Sequence, residues 1–341
     1  LLASQRTFEA GETMESYFYR SGRAPRVACI GGGTGLSVML RGLKHRTPNI
    51  TAIVAVTDDG GGSGVLRDEL GMLPPGDIRN CILALSNIEP TMEKLIDYRF
   101  TSGSLAGQSF GNLLLAAMNG ISESFDKAVA RMGEVLAITG RVLPVTNADV
   151  RLLAEFEDGG VVIGESKIAQ AKRERNCRIR RIRLVPEPVS ALPESIRAIE
   201  EADIIVIGPG SLYTSLIPNL LVGGIAEAIE RSRALKIYVA NIMTQPGETE
   251  GYTLSDHIFQ LFAHSSARLF DTCIVNSQPA PPEILMRYAL EGAYEIELDL
   301  ERVRALGVRV VEAFVADHRS GLVRHHPDRL AEQIMRIYAE R

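Results

Sequence analysis

The sequence predicts an α/β protein: a Rossmann-like, doubly wound, mostly parallel sheet with helices on both faces and a small antiparallel β insertion. Three observations predict it. Apolar runs of strand length alternate with helical patterns, as in chains of βαβ units. Two of those runs break into glycine turns, RVACIGGGTG at 26–35 and DIIVIGPGS at 203–211. Between about 141 and 190 the pattern changes to short strands. The expected organisation is an N-terminal arm at 1–24, then a single nucleotide-binding domain over 25–341 that carries the β-rich insertion at about 141–190.

In chain order, Val27–Ile30 is a short buried strand, and LSVMLRGLK begins a helix after it. The glycines between them remove the Cβ atoms that keep an anion from backbone amides, and a helix N-terminus favours negative charge. ITAIVAVT (Ile50–Thr57) is near-continuously apolar, the mark of a parallel strand buried on both faces. The right-handed crossover between the two strands brings their C-terminal ends side by side, and TDDGGGSG falls at that edge, where Gly60, Gly61, Gly62 and Gly64 make a loop that is either anion-cradling or simply mobile. PPGDIRN delivers Asp77 to a helix N-cap, with Arg79 and Asn80 in its first turn. AGQSFGN, ending in Asn112, precedes another helix, and a further one spans about 124–138.

VLPV, LLAEFE, VVIGES and RIRRIRLV read as the strands of the insertion, with a hairpin turn at Asp158–Gly160. Its basic residues, Lys172, Arg173, Arg175, Arg178, Arg180, Arg181 and Arg183, form either a solvated strand face or a surface for an acidic partner. DIIVIG then runs into GPGSLYTS. KIYVAN, DTCIVN and VRVVEAF are further strands, separated by helices near 253–264 and 282–290, and a last helix starts near Asp328.

Composition bounds the function. The chain has 341 residues, 45% of them hydrophobic, and a net charge of −5, which disfavours a surface built for nucleic acid. Cys29, Cys81, Cys177 and Cys273 are far apart without a CxxC pair, so neither a disulfide framework nor structural zinc is expected, and the natural compartment is the cytoplasm. No apolar run has the length of about 18 residues that a membrane span needs, and no signal peptide is expected. A homo-oligomer is expected for this architecture.

The first glycine turn is not a dinucleotide fingerprint. In a GxGxxG register starting at Gly31 the third glycine falls on Leu36, and starting at Gly33 it falls on Val38, so an NAD-dependent oxidoreductase survives only through a bond from Asp58 to ribose. What remains is a phosphate cradle made of Gly32, Gly33, Thr34 and Gly35, or a strand end whose glycines serve tight helix packing. Asp58 and Asp59 end the second strand. They bond ribose hydroxyls or hold Mg²⁺, with Asp58 the metal candidate, or one of them satisfies the glycine-loop amides. The second cradle has Gly208 and Gly210 opening the backbone, Ser211 and Thr214 offering hydroxyls, and Tyr213 beside a base or sugar. Asn241 and Asn276 end strands, where amides line clefts or cap turns. Arg324 suits a diphosphate or is simply solvated, and Tyr288 is a core residue or a stacking platform. No HExxH pattern and no GxSxG elbow occurs, so neither a histidine metal site nor covalent catalysis is indicated.

Taken together, IGGGTGLSVMLRGLK, ITAIVAVTDDGGGSG, LPPGDIRN, SFGNLLLAAM, VIGPGSLYTSLIPNLLV and NIMTQPGETEGYTLSDH resemble the bacterial gluconeogenesis-factor family, the YvcK branch of the YvcK/CofD-like proteins, over about 26–335. The resemblance implies a cytoplasmic protein that binds UDP-N-acetylglucosamine and acts, with a wall-synthesis partner, in cell shape and wall synthesis on gluconeogenic carbon sources. It places Gly32, Gly33, Thr34, Asp58, Asn80, Asn112, Gly210, Ser211 and Asn241 around the ligand, with Tyr288 and Arg324 in stretches like the branch's ligand-binding part. The related branch, 2-phospho-L-lactate transferase, transfers a phospholactyl group to a deazaflavin with Mg²⁺, which makes a Mg²⁺-dependent transferase the alternative. Gly62, Val65 and Gln108 stand where the branch usually has Ser, Arg and His, so contacts to phosphate or metal there differ.

Overall fold

A computed structural model of the chain describes residues 23–265 and 268–341. Most of the arm expected at 1–24 lies outside the described residues. Seven parallel strands form the main sheet: β1 (Val27–Gly31), β2 (Ile50–Val54), β3 (Arg141–Pro144), β7 (Ile204–Ile207), β8 (Leu235–Val239), β9 (Thr272–Asn276) and β10 (Arg309–Ala313). Their spatial order is β10-β9-β8-β7-β1-β2-β3. From β1 the chain builds outward through β2 to β3, then returns to the other side of β1 and builds outward from β7. The strand order therefore reverses between β1 and β7, and this switch point opens a crevice beyond the carboxyl ends of the two strands.

The central strands are buried along their whole length, which is why their sequences are continuously apolar rather than alternating. The helix Gly33–Leu43 buries Leu36, Met39, Leu40 and Leu43, one stripe at helical spacing. It packs on the helices Gly76–Leu85 and Pro327–Ala339. A Cβ at Gly42 would collide with the carbonyl of Pro327, so a glycine is needed where the last helix crosses the first.

The second, three-stranded sheet has the order β5-β4-β6, from β4 (Arg151–Phe156), β5 (Val161–Ile163) and β6 (Ile179–Val185), all antiparallel. The Asp158–Gly160 turn joins β4 to β5 as expected, with the Gly160 amide donating to Asp158 Oδ1 at 2.9 Å. Three expectations need correcting. Arg141–Pro144 does not belong to this insertion, because it pairs in parallel with β2 at the edge of the main sheet. Part of the basic stretch is helical, since Glu165–Arg175 forms a helix whose last turn gathers Lys172, Arg173 and Arg175 at its negative dipole end. The glycine loop after Asp59 is also helical, over Gly61–Leu70.

Among the described residues no helix is long and apolar enough to cross a membrane.

Candidate functional site

The two glycine turns meet at the switch point. The Asn219 side chain, fully buried on the helix Ile217–Leu221, donates from Nδ2 to the Gly31 carbonyl at 2.9 Å and so ties the second turn to the end of β1. A Cβ on Gly35 would stand 2.7 Å from the Pro209 carbonyl oxygen, and one on Gly210 would stand 3.3 Å from the Gly32 carbonyl. Glycine is thus required here for backbone-to-backbone approach, in addition to any opening toward a ligand.

Above the turns lies a cleft of about 610 Å³. Gly32, Gly33, Thr34, Gly35, Gly210 and Ser211 line its floor. Asn241, Tyr288 and Arg324 also line it, so nine of the sequence candidates share one space. Asn241 is locked onto the second turn: its Nδ2 donates to the Gly210 carbonyl at 2.9 Å and its Oδ1 accepts from the Gly210 amide at 3.3 Å. The Tyr288 hydroxyl accepts from the Val323 amide at 3.0 Å, which holds the segment carrying Arg324 over the cleft. The Arg324 side chain is exposed and makes no ion pair among the described residues.

Asp77 stands behind this floor. As an N-cap it would start the helix at Ile78, but the helix begins two residues earlier, at Gly76, with Pro75 at the N-cap. Its Oδ2 instead accepts from the Gly33 amide at 2.6 Å, so one amide of the first cradle is occupied by the protein's own anion. Burial is the largest cause that raises its pKa to about 6; Asp58 adds to the rise, and the Gly33 amide and Arg79 oppose it.

Asp58 and Asp59 take different roles. Asp58 Oδ1 accepts from the Gly60 amide at 2.9 Å and shapes the start of the next helix. Asp59 Oδ1 accepts from the Ser166 amide at 2.8 Å, capping the insertion's helix Glu165–Arg175. That helix also brings Glu165 against Thr57, whose hydroxyl donates to Glu165 Oε2 at 2.9 Å. Desolvation, and after it the charges of Asp58 and Asp77, push the Glu165 pKa well up. Nothing in the ESKIAQAKRER stretch singled Glu165 out, because only the docking of the insertion brings it to the end of β2. Among the described residues no group of three or more His, Cys, Asp or Glu side chains is arranged to hold a metal ion.

The remaining candidates sit around this centre. Arg79 is buried, with its Nη2 donating to Asn80 Oδ1 at 2.6 Å, and its pKa is lowered by burial. Asn112 is buried in the first turn of the helix Phe110–Gly120, whose Ser109 cap accepts from its amide at 3.2 Å. Gly208 turns the chain at φ +83, in the left-handed region. Thr214 donates to Glu248 Oε1 at 3.2 Å. Tyr213 is fully buried and does not line the cleft; its hydroxyl pairs with that of Tyr252 at 2.8 Å. Asn276 caps a turn, its Oδ1 accepting from the Val315 and Ala316 amides at 3.2 and 3.1 Å.

The loop Thr244–Thr249 contributes what the turn pattern alone left unassigned. Gln245 Oε1 accepts from the Ser211 hydroxyl at 2.7 Å, and Gln245 Nε2 donates to Glu248 Oε1 at 2.8 Å. Burial raises the Glu248 pKa to about 7, against the bonds from the Tyr213 amide and Thr214. His325 lines the cleft next to Arg324, and burial lowers its pKa to about 4. Gly62 and Gln108 are neighbours: a Cβ at Gly62 would stand 2.7 Å from Gln108 Oε1.

The doubly wound sheet, with two glycine turns facing one cleft at its switch point, defines a Rossmann-like α/β protein. The chain belongs to the CofD family, whose model, described as 2-phospho-L-lactate transferase CofD, matches residues 27–316. A Thermoanaerobacterium thermosulfurigenes protein, provisionally named gluconeogenesis factor, is 55% identical over 322 residues, covering 94% of this chain and 99% of that one. A Bacillus subtilis protein named gluconeogenesis factor is 48% identical over 320 residues, covering 94% of this chain and 100% of the relative. A crystal structure of a Bacillus halodurans protein superposes with a TM-score of 0.89 at 45% identity, covering 92% of this chain and 100% of that one.

Proposed function

We propose that this protein is a cytoplasmic binding protein for UDP-N-acetylglucosamine or a similar nucleoside diphosphate sugar, acting as a gluconeogenesis factor. The observation that carries the reading is the convergence of both glycine turns and Arg324 on one cleft of about 610 Å³. Two cradles at helix N-termini suit two linked phosphates, and an unpaired guanidinium above them adds charge-assisted bonds. The name shared by the Bacillus subtilis relative supports the same reading. In this proposal the occupied state is read by a wall-synthesis protein, the chain works as a homo-oligomer, and no catalytic base is required.

A second reading, a Mg²⁺-dependent transferase, draws on the carboxylates Asp58, Asp77 and Glu165 behind the floor, where burial and then the Asp58 charge raise the pKa of both Asp77 and Glu165. Since the described residues offer no complete metal site, a Mg²⁺ near Asp58 would arrive with the ligand's phosphate oxygens completing its shell. Titration calorimetry with UDP-N-acetylglucosamine separates the readings. Binding without turnover supports the first. No binding at millimolar concentration, while other nucleotides bind, would sink it. Product formation from a nucleotide-linked donor, abolished in Asp58→Asn, would favour the second.

A further inference from the structure

The cleft leaves the basic strand β6 unexplained. Opposite Phe156 and Glu155 on β4 stand Ile179 and Arg181, so Arg180 is an extra residue in the ladder, a β-bulge. Bulges re-aim side chains. Here the bulge turns Arg180 and Arg181 outward together, both exposed, while Ile179 and Ile182 stay buried. The two arginines, with Arg183, Glu155, Ala263 and His264, line a hollow of about 220 Å³.

Several other basic residues of the insertion are paired with acids, one of them on the hollow's own wall. Arg183 Nε donates to Glu155 Oε1 at 2.8 Å, Arg175 pairs with Asp158 at 2.9 Å, Arg151 pairs with Asp68 at 3.0 Å, and Lys172 pairs with Glu250. Arg180 and Arg181 have no acidic partner among the described residues, so two positive charges are left over beside one another. The hollow is too small for a nucleotide. Glu155, Glu157 and Asp158 also interrupt the run of positive charge that a nucleic acid backbone would follow.

The strand is bolted to the ligand cleft's second turn. The Tyr213 hydroxyl donates to the Ile179 carbonyl at 3.5 Å, and the Arg178 guanidinium lies 5.1 Å from the centre of the Tyr252 ring, which partners Tyr213. On its other side the Ile182 amide donates to His264 Nε2 at 3.0 Å. The hollow is thus a rigid feature resting on the same framework as the cradle.

We propose that the hollow at Arg180 and Arg181 is a docking surface for an acidic segment of a partner protein, with carboxylate side chains entering between the arginines. Neutral residues would gain nothing there, whereas a carboxylate can take the forked donors of either guanidinium. The test is fluorescence anisotropy of the full chain with a labelled peptide of alternating Glu and Ala, at low salt. A double variant, Arg180→Glu with Arg181→Glu, is compared with a control of equal charge change outside the insertion, Arg231→Glu with Arg233→Glu, at the end of the helix Ile225–Arg231 and in the turn before β8. The expected result is at least a tenfold loss of peptide affinity in the first variant, little change in the control, and unaltered UDP-N-acetylglucosamine titration in both. Equal loss in both variants would reduce the effect to net charge and overturn the proposal. Failure of the wild-type chain to bind the peptide, or binding of duplex DNA in its place, would overturn it too.

Discussion

The Gly33 amide donates to Asp77 Oδ2 at 2.6 Å, across 44 residues of chain, so the first glycine turn has a carboxylate built into its back wall. The arrangement strains electrostatics to hold geometry. Burial raises the Asp77 pKa to about 6, so the folded state holds a proton over a range in which the unfolded chain has already released it. A raised pKa contributes stability that is fully present below the unfolded value and is lost as pH rises through the folded one. Asp77→Asn keeps an acceptor for Gly33 and removes the charge. It is expected to match the wild type near pH 4 and to be more stable by about 1–3 kcal/mol near pH 8. Chemical denaturation across that window checks it; a constant difference at all pH values would contradict the assignment.

Gly35→Ala tests the approach of the two turns. The new methyl would stand 2.7 Å from the Pro209 carbonyl oxygen and 3.3 Å from the Gly210 amide, both backbone atoms that cannot swing aside. The expected outcome is a loss of about 1–3 kcal/mol of stability, the usual cost of overpacking, together with weakened ligand binding as the cradles separate. Thermal melting and calorimetry on the same variant measure both effects.

Arg324→Ala removes an exposed side chain that contacts no acidic group among the described residues, so the melting temperature should stay within error. Affinity for a nucleoside diphosphate sugar should fall by about ten- to a hundredfold, the weight of a charge-assisted bond. The wild-type advantage should shrink at high salt, because an exposed cation is screened.

Tyr213→Phe leaves the Tyr252 hydroxyl, 2.8 Å away in the wild type, without its buried partner. A destabilisation of about 1–2 kcal/mol is expected. Ligand affinity should change little, because Tyr213 is fully buried and supports the turn from behind. A large affinity loss at unchanged stability would instead put the ring in contact with ligand.

Much of the architecture is legible in the chain because its signals are local. Continuous apolar runs such as Ile50–Val54 mark strands covered on both faces, and the glycine turns after β1 and β7 mark where backbone must come close to something. The helix Gly61–Leu70 is not legible: three of its first four residues are Gly61, Gly62 and Gly64, poor helix formers that read as a loop. Tertiary fit bears on it, since a Cβ at Gly62 would stand 2.7 Å from Oε1 of the distant Gln108. The edge strand Arg141–Pro144 was equally unreadable as a member of the main sheet, because four residues carry no record of the strand they pair with.

By itself the sequence determined the α/β class, the two glycine turns, and the set Gly32–Gly35, Gly210, Ser211, Asn241, Tyr288 and Arg324 that shares the cleft. Only the tertiary structure decided that Asp77 serves Gly33 rather than its own helix, that Asp59 caps the insertion while Asp58 does not, and that Tyr213 is a strut. It also brought Glu165 and Glu248 into burial, which raised the pKa of each. The physical reason is range. Strand burial and turn geometry are set by neighbours in sequence, whereas the partner of a carboxylate or hydroxyl depends on which distant segment the strand order lays beside it.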